Sequence, residues 1–189
     1  IKFIVTKIAL NLLKRMFMIA ITATGSYAPE STISNSELVA SYNAYVQEFN
    51  KTNADKISSG DIAALAESSA DFITDASGVK MRHVINKSGI LDNSLMQPVY
   101  EPRTEAEISI QAEIAVKAAQ DALQSAGVAA DKIDSVICAC SNFQRAYPAI
   151  AIEVQNALGC TGFAYDMNVA CSSAVFALQQ AYSLIKSGQ

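Results

Sequence analysis

Cys171 lies in the stretch Asp166-Met167-Asn168-Val169-Ala170-Cys171-Ser172-Ser173-Ala174. A short apolar run at residues 162–165 precedes it and reads as a buried strand. After it the large apolar residues Val175, Leu178, Tyr182 and Ile185 recur at a helical period. The cysteine is therefore expected at a strand-to-helix turn, close to a helix N-terminus. Unpaired backbone N–H groups and the positive end of the helix dipole favour an anion there. A thiol so placed ionises more easily, and the thiolate is the form that attacks carbonyl carbon. Ser172, Ser173 and Ala174 are small enough to let a substrate approach the sulfur. By itself, a cysteine in an apolar sequence is more often a small core residue than a nucleophile.

The other thiols read differently. Cys138 and Cys140 fall two apart in an apolar run and so share one face of a strand. Strand neighbours at that spacing suit a relaxed disulfide poorly, and core packing is the better reading. Cys160 beside Gly159 is undecided between an exposed and a structural role. No CxxC pair occurs and the only histidine, His83, is distant, so no metal site is expected. Free thiols in a reducing cytosol are the expectation, which makes the chain cytoplasmic.

Hydrophobic residues make up 51% of the 189-residue chain and charged residues 17%, which describes a packed globular protein. A net charge of −4 gives no footprint for nucleic acid. Lys2, Lys7, Lys14 and Arg15 break the apolar residues of the first seventeen positions into pieces too short for a membrane span. Those positions, 1–17, are expected to be an extension outside the folded family core, with Met18 as the natural start. At the other end, residues 187–189 follow a helix that has met its glycine stop, and a further strand is expected beyond them.

Between these ends, helices and strands alternate. Residues 19–25 read as a first strand. Ser34 with Glu37 makes a capping box ahead of the apolar face Leu38, Val39, Tyr42, Val46 and Phe49. Residues 50–60 read as polar and turn-rich. Ile62, Leu65, Ala66, Ser69, Phe72 and Ile73 suggest a second helix, stopped near Gly78. A short strand at 79–86 leads into an irregular stretch at 87–103. Thr104 with Glu107 is expected to open a long alanine-rich helix, packed closely on a sheet and ending at Gly127. Residues 133–141 carry the next strand. Pro148 suits the first turn of a helix that stops at Gly159, and residues 163–167 deliver Cys171. The pattern predicts an α/β protein with a mostly parallel sheet.

Four segments, in this order, resemble the N-terminal half of the β-ketoacyl-[acyl-carrier-protein] synthase III family of the thiolase-like superfamily. They are Thr22-Ala23-Thr24-Gly25-Ser26-Tyr27-Ala28-Pro29, then Ser77-Gly78-Val79-Lys80-Met81-Arg82-His83. The third is the helix–strand–helix block running from Ala126-Gly127 through Arg145-Ala146-Tyr147-Pro148 to Leu158-Gly159, and the fourth is the cysteine turn. The resemblance implies a thiolase-like α-β-α layered fold, of which residues 18–189 form an incomplete half-domain. Residues 43–68 and 87–105 look longer than the family core and suggest a cap near the acyl entrance.

The resemblance also implies a reaction. Cys171 would take an acyl group from a thioester, and the enolate of decarboxylated malonyl-acyl carrier protein would attack the acyl-cysteine. Cys171's own N–H would serve in an oxyanion hole. Acyl-coenzyme A and malonyl-acyl carrier protein are the implied substrates, with no cofactor, acyl carrier protein as partner and a homodimer as the assembly. The family's decarboxylating His and Asn belong to its C-terminal half and are not in this chain; His83 matches a different motif. The family's nucleotide-gripping Trp and Arg match Phe72 and Ala76. Phe72 can stack on an adenine, but Ala76 cannot pair with a phosphate, which implies another donor or another grip. Tyr147 matches a position lining the partner subunit's acyl pocket, with an ordinary buried aromatic as the alternative. A thiolase, a hydroxymethylglutaryl-type synthase and a non-catalytic partner subunit are the competing readings.

Overall fold

The computed structural model describes residues 2–10, 17–104 and 106–189. They form two compact units, Ile1–Tyr27 with Arg103–Gln189, and Ala28–Pro102. The first unit opens with β1 (Lys2–Leu10) and β2 (Phe17–Ser26). They pair antiparallel from Lys2 opposite Ser26 to Leu10 opposite Phe17, with a register shift between Val5 and Thr6. The strand expected at 19–25 is β2. Of the expected extension, Ile1 and residues 11–16, Lys14 and Arg15 among them, lie outside the described residues, as does Glu105 at the end of the second expected insertion.

The second unit holds β3 (Thr32–Ser34), α1 (Asn35–Thr52), α2 (Ala54–Ser58), α3 (Ala70–Ser77), β4 (Met81–His83) and α4 (Ser88–Leu91). The Ser34–Glu37 capping box forms as expected, with each side chain on the other's backbone N–H. Glu37 also pairs with Lys87 at 2.9 Å. The serine's N–H and then Lys87 lower the Glu37 carboxyl to a pKa of about 2. Residues 50–60 are more helical than expected, since α1 runs to Thr52 and α2 follows.

The helix expected from Ile62 onward begins only after Ser69, whose hydroxyl caps α3 at the Phe72 N–H. Residues 62–69 form no helix, and side-chain amides of α1 take backbone groups within them. Asn50 exchanges two hydrogen bonds with the Leu65 backbone, both 2.9 Å. Asn43 does the same with Ser68 at 2.9 and 3.0 Å. A carboxamide presents the same donor and acceptor as a peptide, so this face of α1 acts as a strand edge. At the end of α3 the chain turns through Gly78 at φ +72°.

Asn35, buried at the start of α1, ties this unit together. Its Nδ2 donates to the Val79 carbonyl and Thr74 Oγ1, and its Oδ1 accepts from Arg82. His83 is bound through Nδ1 to the Pro29 carbonyl at 2.7 Å.

The first unit resumes with α5 (Ile110–Ala126), a 3₁₀ turn (Ala130–Lys132), β5 (Ser135–Ala139), α6 (Ile150–Leu158), β6 (Phe163–Met167) and α7 (Ser173–Ser187). Ala112, Ala115, Ala118, Ala119 and Ala122 form the buried stripe of α5, which lies against β2. A Cβ at Gly25 would run into the Ala118 carbonyl and the Ala122 backbone. The close helix–strand approach expected from the alanines thus needs glycine on the strand as well. Thr104 and Glu107 do pair, but they close a separate turn. The helix starts later, capped by Ser109, whose hydroxyl accepts from Ala112 N–H and donates to the buried Glu153 carboxylate. Pro148 likewise precedes its helix, which opens at Ile150 after Ala149.

β5 and β6 run parallel, from Ser135 opposite Phe163 to Ala139 opposite Met167. Among the described residues this is the parallel pair; the other two sheets, β1–β2 and β3–β4, are antiparallel two-stranded pieces. A parallel neighbour needs a crossover element, and α6 supplies it here. The core beneath gathers Ala112, Ala115, Val136, Cys138, Ile150, Ala151 and Val154.

Candidate active site

β6 ends at Met167 and α7 begins at Ser173, so the intervening turn presents Cys171 where the residue pattern placed it. Cys171 is exposed. The turn is closed by Ser172 N–H on the Val169 carbonyl at 3.0 Å. Ala170 within it has φ +47°, a left-handed conformation that a side chain makes unfavourable by about 1 kcal/mol. Asn168 braces the approach: its Oδ1 accepts from Ala170 N–H at 3.0 Å, and its Nδ2 donates to the Ser141 carbonyl at 3.2 Å.

Ser173 braces the other side. It is only 3% exposed. Its hydroxyl accepts from Val169 N–H at 2.8 Å and donates to the Ala170 carbonyl at 2.7 Å, with the Cys140 carbonyl further off at 3.3 Å. The hydrogen bonds that close the turn come from the N–H groups of Val169, Ala170, Ser172 and Ser173; that of Cys171 takes no part in them.

The other thiols are engaged or buried. Cys138 faces the core as expected, and burial, reinforced by Asp166 and Cys140, pushes its thiol up to about 12. Burial also raises Cys160. Cys140 accepts from Gln111 Nε2 at 3.1 Å and donates to the Asn142 carbonyl at 3.0 Å.

Asp166, one residue from the end of β6, has a role that the sequence did not disclose. Its two carboxylate oxygens accept from Ile150 and Ala151 N–H at 2.9 and 2.8 Å. It caps α6 from a neighbouring strand, where Ala149 offers no side-chain cap. The only advance signal was a carboxylate inside an apolar strand. Glu153 was also missed. Only 8% exposed, it accepts from Arg145 at 2.7 Å and from both Ser109 donors, which ties the loop before α6 to the start of α5.

Tyr147 lies on that loop, before a cis bond to Pro148, and is 90% exposed. The buried-aromatic alternative does not hold in this chain, where the phenol ring is exposed. Phe72 is on α3 in the second unit, 66% exposed, with Ala76 also exposed one turn later. The structure thus groups Cys171 with Asn168, Ser173 and Cys140, whereas Phe72 belongs to the other compact unit.

No family model matches the chain. Over 149 residues it is 56% identical to the β-ketodecanoyl-[acyl-carrier-protein] synthase of Pseudomonas aeruginosa, an alignment covering 79% of this chain and 43% of that protein. The β-ketoacyl-[acyl-carrier-protein] synthase III of Cereibacter sphaeroides is 30% identical over 170 residues, 89% of this chain and 39% of that protein. Among solved structures, the synthase III of Thermus thermophilus matches with a TM-score of 0.58 at 25% identity, over 88% of this chain and 38% of that one. The synthase III of Pseudomonas aeruginosa matches with a TM-score of 0.59 at 26% identity, again over 88% and 38%. The chain spans 39–43% of the length of these two curated relatives.

Proposed function

Because the chain belongs to the β-ketoacyl-[acyl-carrier-protein] synthase III family, we propose that it carries the nucleophile of a decarboxylating condensing enzyme of fatty-acid synthesis. The observation that supports this most is the exposed Cys171 at the braced β6–α7 turn, with its N–H outside the turn's hydrogen bonds.

In the first half-reaction the Cys171 thiolate attacks the carbonyl carbon of an acyl thioester. The tetrahedral oxyanion collapses, the carrier thiolate leaves and takes up a proton, and the acyl group stays on Cys171. In the second, malonyl-acyl carrier protein loses carbon dioxide and its enolate carbon attacks the Cys171 thioester. A carbon–carbon bond forms, the carbon–sulfur bond breaks, and Cys171 is released as thiolate. Both steps build negative charge on the same carbonyl oxygen, which Cys171's N–H can stabilise. The decarboxylating His and Asn are assigned to the part of the family outside this chain, since His83 is occupied by the Pro29 carbonyl.

The donor's length follows from product arithmetic. The Pseudomonas aeruginosa relative is named for a ten-carbon β-ketoacyl product. Malonyl adds two carbons after decarboxylation, so an eight-carbon acyl thioester is the donor proposed for this chain. Phe72 offers an exposed ring for stacking on a donor's nucleotide, while Ala76 supplies no charge for its phosphates. Tyr147, projecting fully, is assigned to the acyl pocket of a second subunit in a homodimer.

The test is intact-mass analysis of the purified gene product incubated with acetyl, octanoyl and palmitoyl thioesters of coenzyme A and of acyl carrier protein. One octanoyl group on Cys171, released as a β-ketodecanoyl product on adding malonyl-acyl carrier protein, is the expected result. Acylation of no residue by any donor would remove the condensing reading.

A further inference from the structure

The hydroxyl of Ser173 is spent in an unusual direction. Serine near a helix start ordinarily accepts from N–H groups of the following turn. Here Ser172 is the N-cap residue and makes no side-chain cap bond. Ser173 sends its hydroxyl backward, accepting from Val169 N–H and donating to the Ala170 carbonyl. Its own backbone N–H meets the same Ala170 carbonyl at 3.2 Å. Two donors from one residue thus converge on one oxygen.

That oxygen shares a peptide plane with the N–H of Cys171. A trans peptide is rigid and planar, so its C=O and N–H lie in one plane and point in opposite directions. Pinning the Ala170 carbonyl therefore aims the Cys171 N–H. Ala170 at φ +47° would otherwise relax toward a more favourable backbone conformation, rotating that plane. We infer that Ser173 is a positioning residue for acyl transfer: its buried hydroxyl holds the Ala170–Cys171 peptide so that the Cys171 N–H faces the developing oxyanion. This inference rests on the condensing reading and adds to it the residue that orients the oxyanion donor.

Two reactions at the same sulfur separate this role from simple folding. Alkylation by iodoacetamide is a displacement at saturated carbon and needs a reachable thiolate but no oxyanion hole. Acylation by octanoyl thioester needs both. In the purified gene product, Ser173→Ala should slow acylation of Cys171 about tenfold or more, within the range lost when an oxyanion donor is misplaced. Alkylation of Cys171 should stay within about threefold of the parent, because access to the sulfur is unchanged. Ser173→Thr, which keeps the hydroxyl, should recover most of the acylation rate. Acylation by Ser173→Ala at the parent rate overturns the inference, and so does a parallel loss of acylation and alkylation, which would make Ser173 a folding residue only. Failure of the parent protein itself to acylate with any donor is a different result; it removes the condensing reading and the inference with it.

Discussion

At the scale of single residues, the four thiols differ through burial and partners. Cys171 is exposed, Cys140 is hydrogen-bonded through its sulfur, and Cys138 sits in the core with its thiol pushed up to about 12. Limited iodoacetamide at neutral pH should therefore label Cys171 first and Cys138 last, as read by peptide mass mapping. Equal labelling of all four in the folded protein would contradict the placement. The raised Cys138 thiol also has a stability consequence. An unfolded cysteine ionises from pH 9 upward, while the folded one holds its proton to about 12. Above pH 9 the folded state binds more protons than the unfolded state, so stability falls as pH rises through that window. Denaturant melts from pH 7 to 10.5 should show a steeper alkaline decline in the parent than in Cys138→Ala. Identical slopes would mean that this thiol does not contribute.

At the scale of elements, the cysteine turn is supported from beneath by side chains acting at a distance. Asp166 caps α6 with both oxygens while its strand delivers Cys171, which couples the α6 start to the strand before the cysteine turn. Asp166→Ala leaves two partly buried N–H groups without their acceptor and should cost about 1–2 kcal/mol. Asp166→Asn, which keeps one acceptor oxygen, should recover part of it. Urea melts measure both, and a neutral Asp166→Ala would mean that water replaces the carboxylate fully. In the other unit the same principle holds residues 62–69, where amides of α1 bond the backbone of a non-helical segment.

For the molecule as a whole, the exposed apolar surface of α7 matters most. Val175 is 69% exposed, and Phe176, Leu178 and Tyr182 are exposed with it, while Ser173 is the one buried residue of the helix. Their spacing along the helix is that of a face made to be covered. Among the described residues no helix is long and apolar enough to cross a membrane. The 189-residue chain prepared by itself should therefore associate, with light scattering rising in the micromolar range. Val175→Ser with Phe176→Ser should suppress it. A monodisperse monomer at high concentration would show that this surface is tolerated in water.

Much was legible along the chain because it depends on neighbours in sequence. The Ser34–Glu37 box, the stops at Gly78, Gly127 and Gly159, the β6 strand and the position of Cys171 are local matters of capping, φ and period. The alanine stripe of α5 likewise announced its close packing. Where a distant side chain competes for backbone groups, the sequence was silent. The non-helical residues 62–69 depend on Asn43 and Asn50, the delayed start of α5 on Glu153, and the α6 cap on Asp166. Ser173 is the clearest instance. Composition marks it only as small, and its hydroxyl's partners were decided by the fold that brings Val169, Ala170 and Cys140 around it. Local rules determine which element forms and where it ends. Only tertiary structure determines which polar groups meet across elements, because each such bond depends on the three-dimensional position of a partner that no spacing encodes.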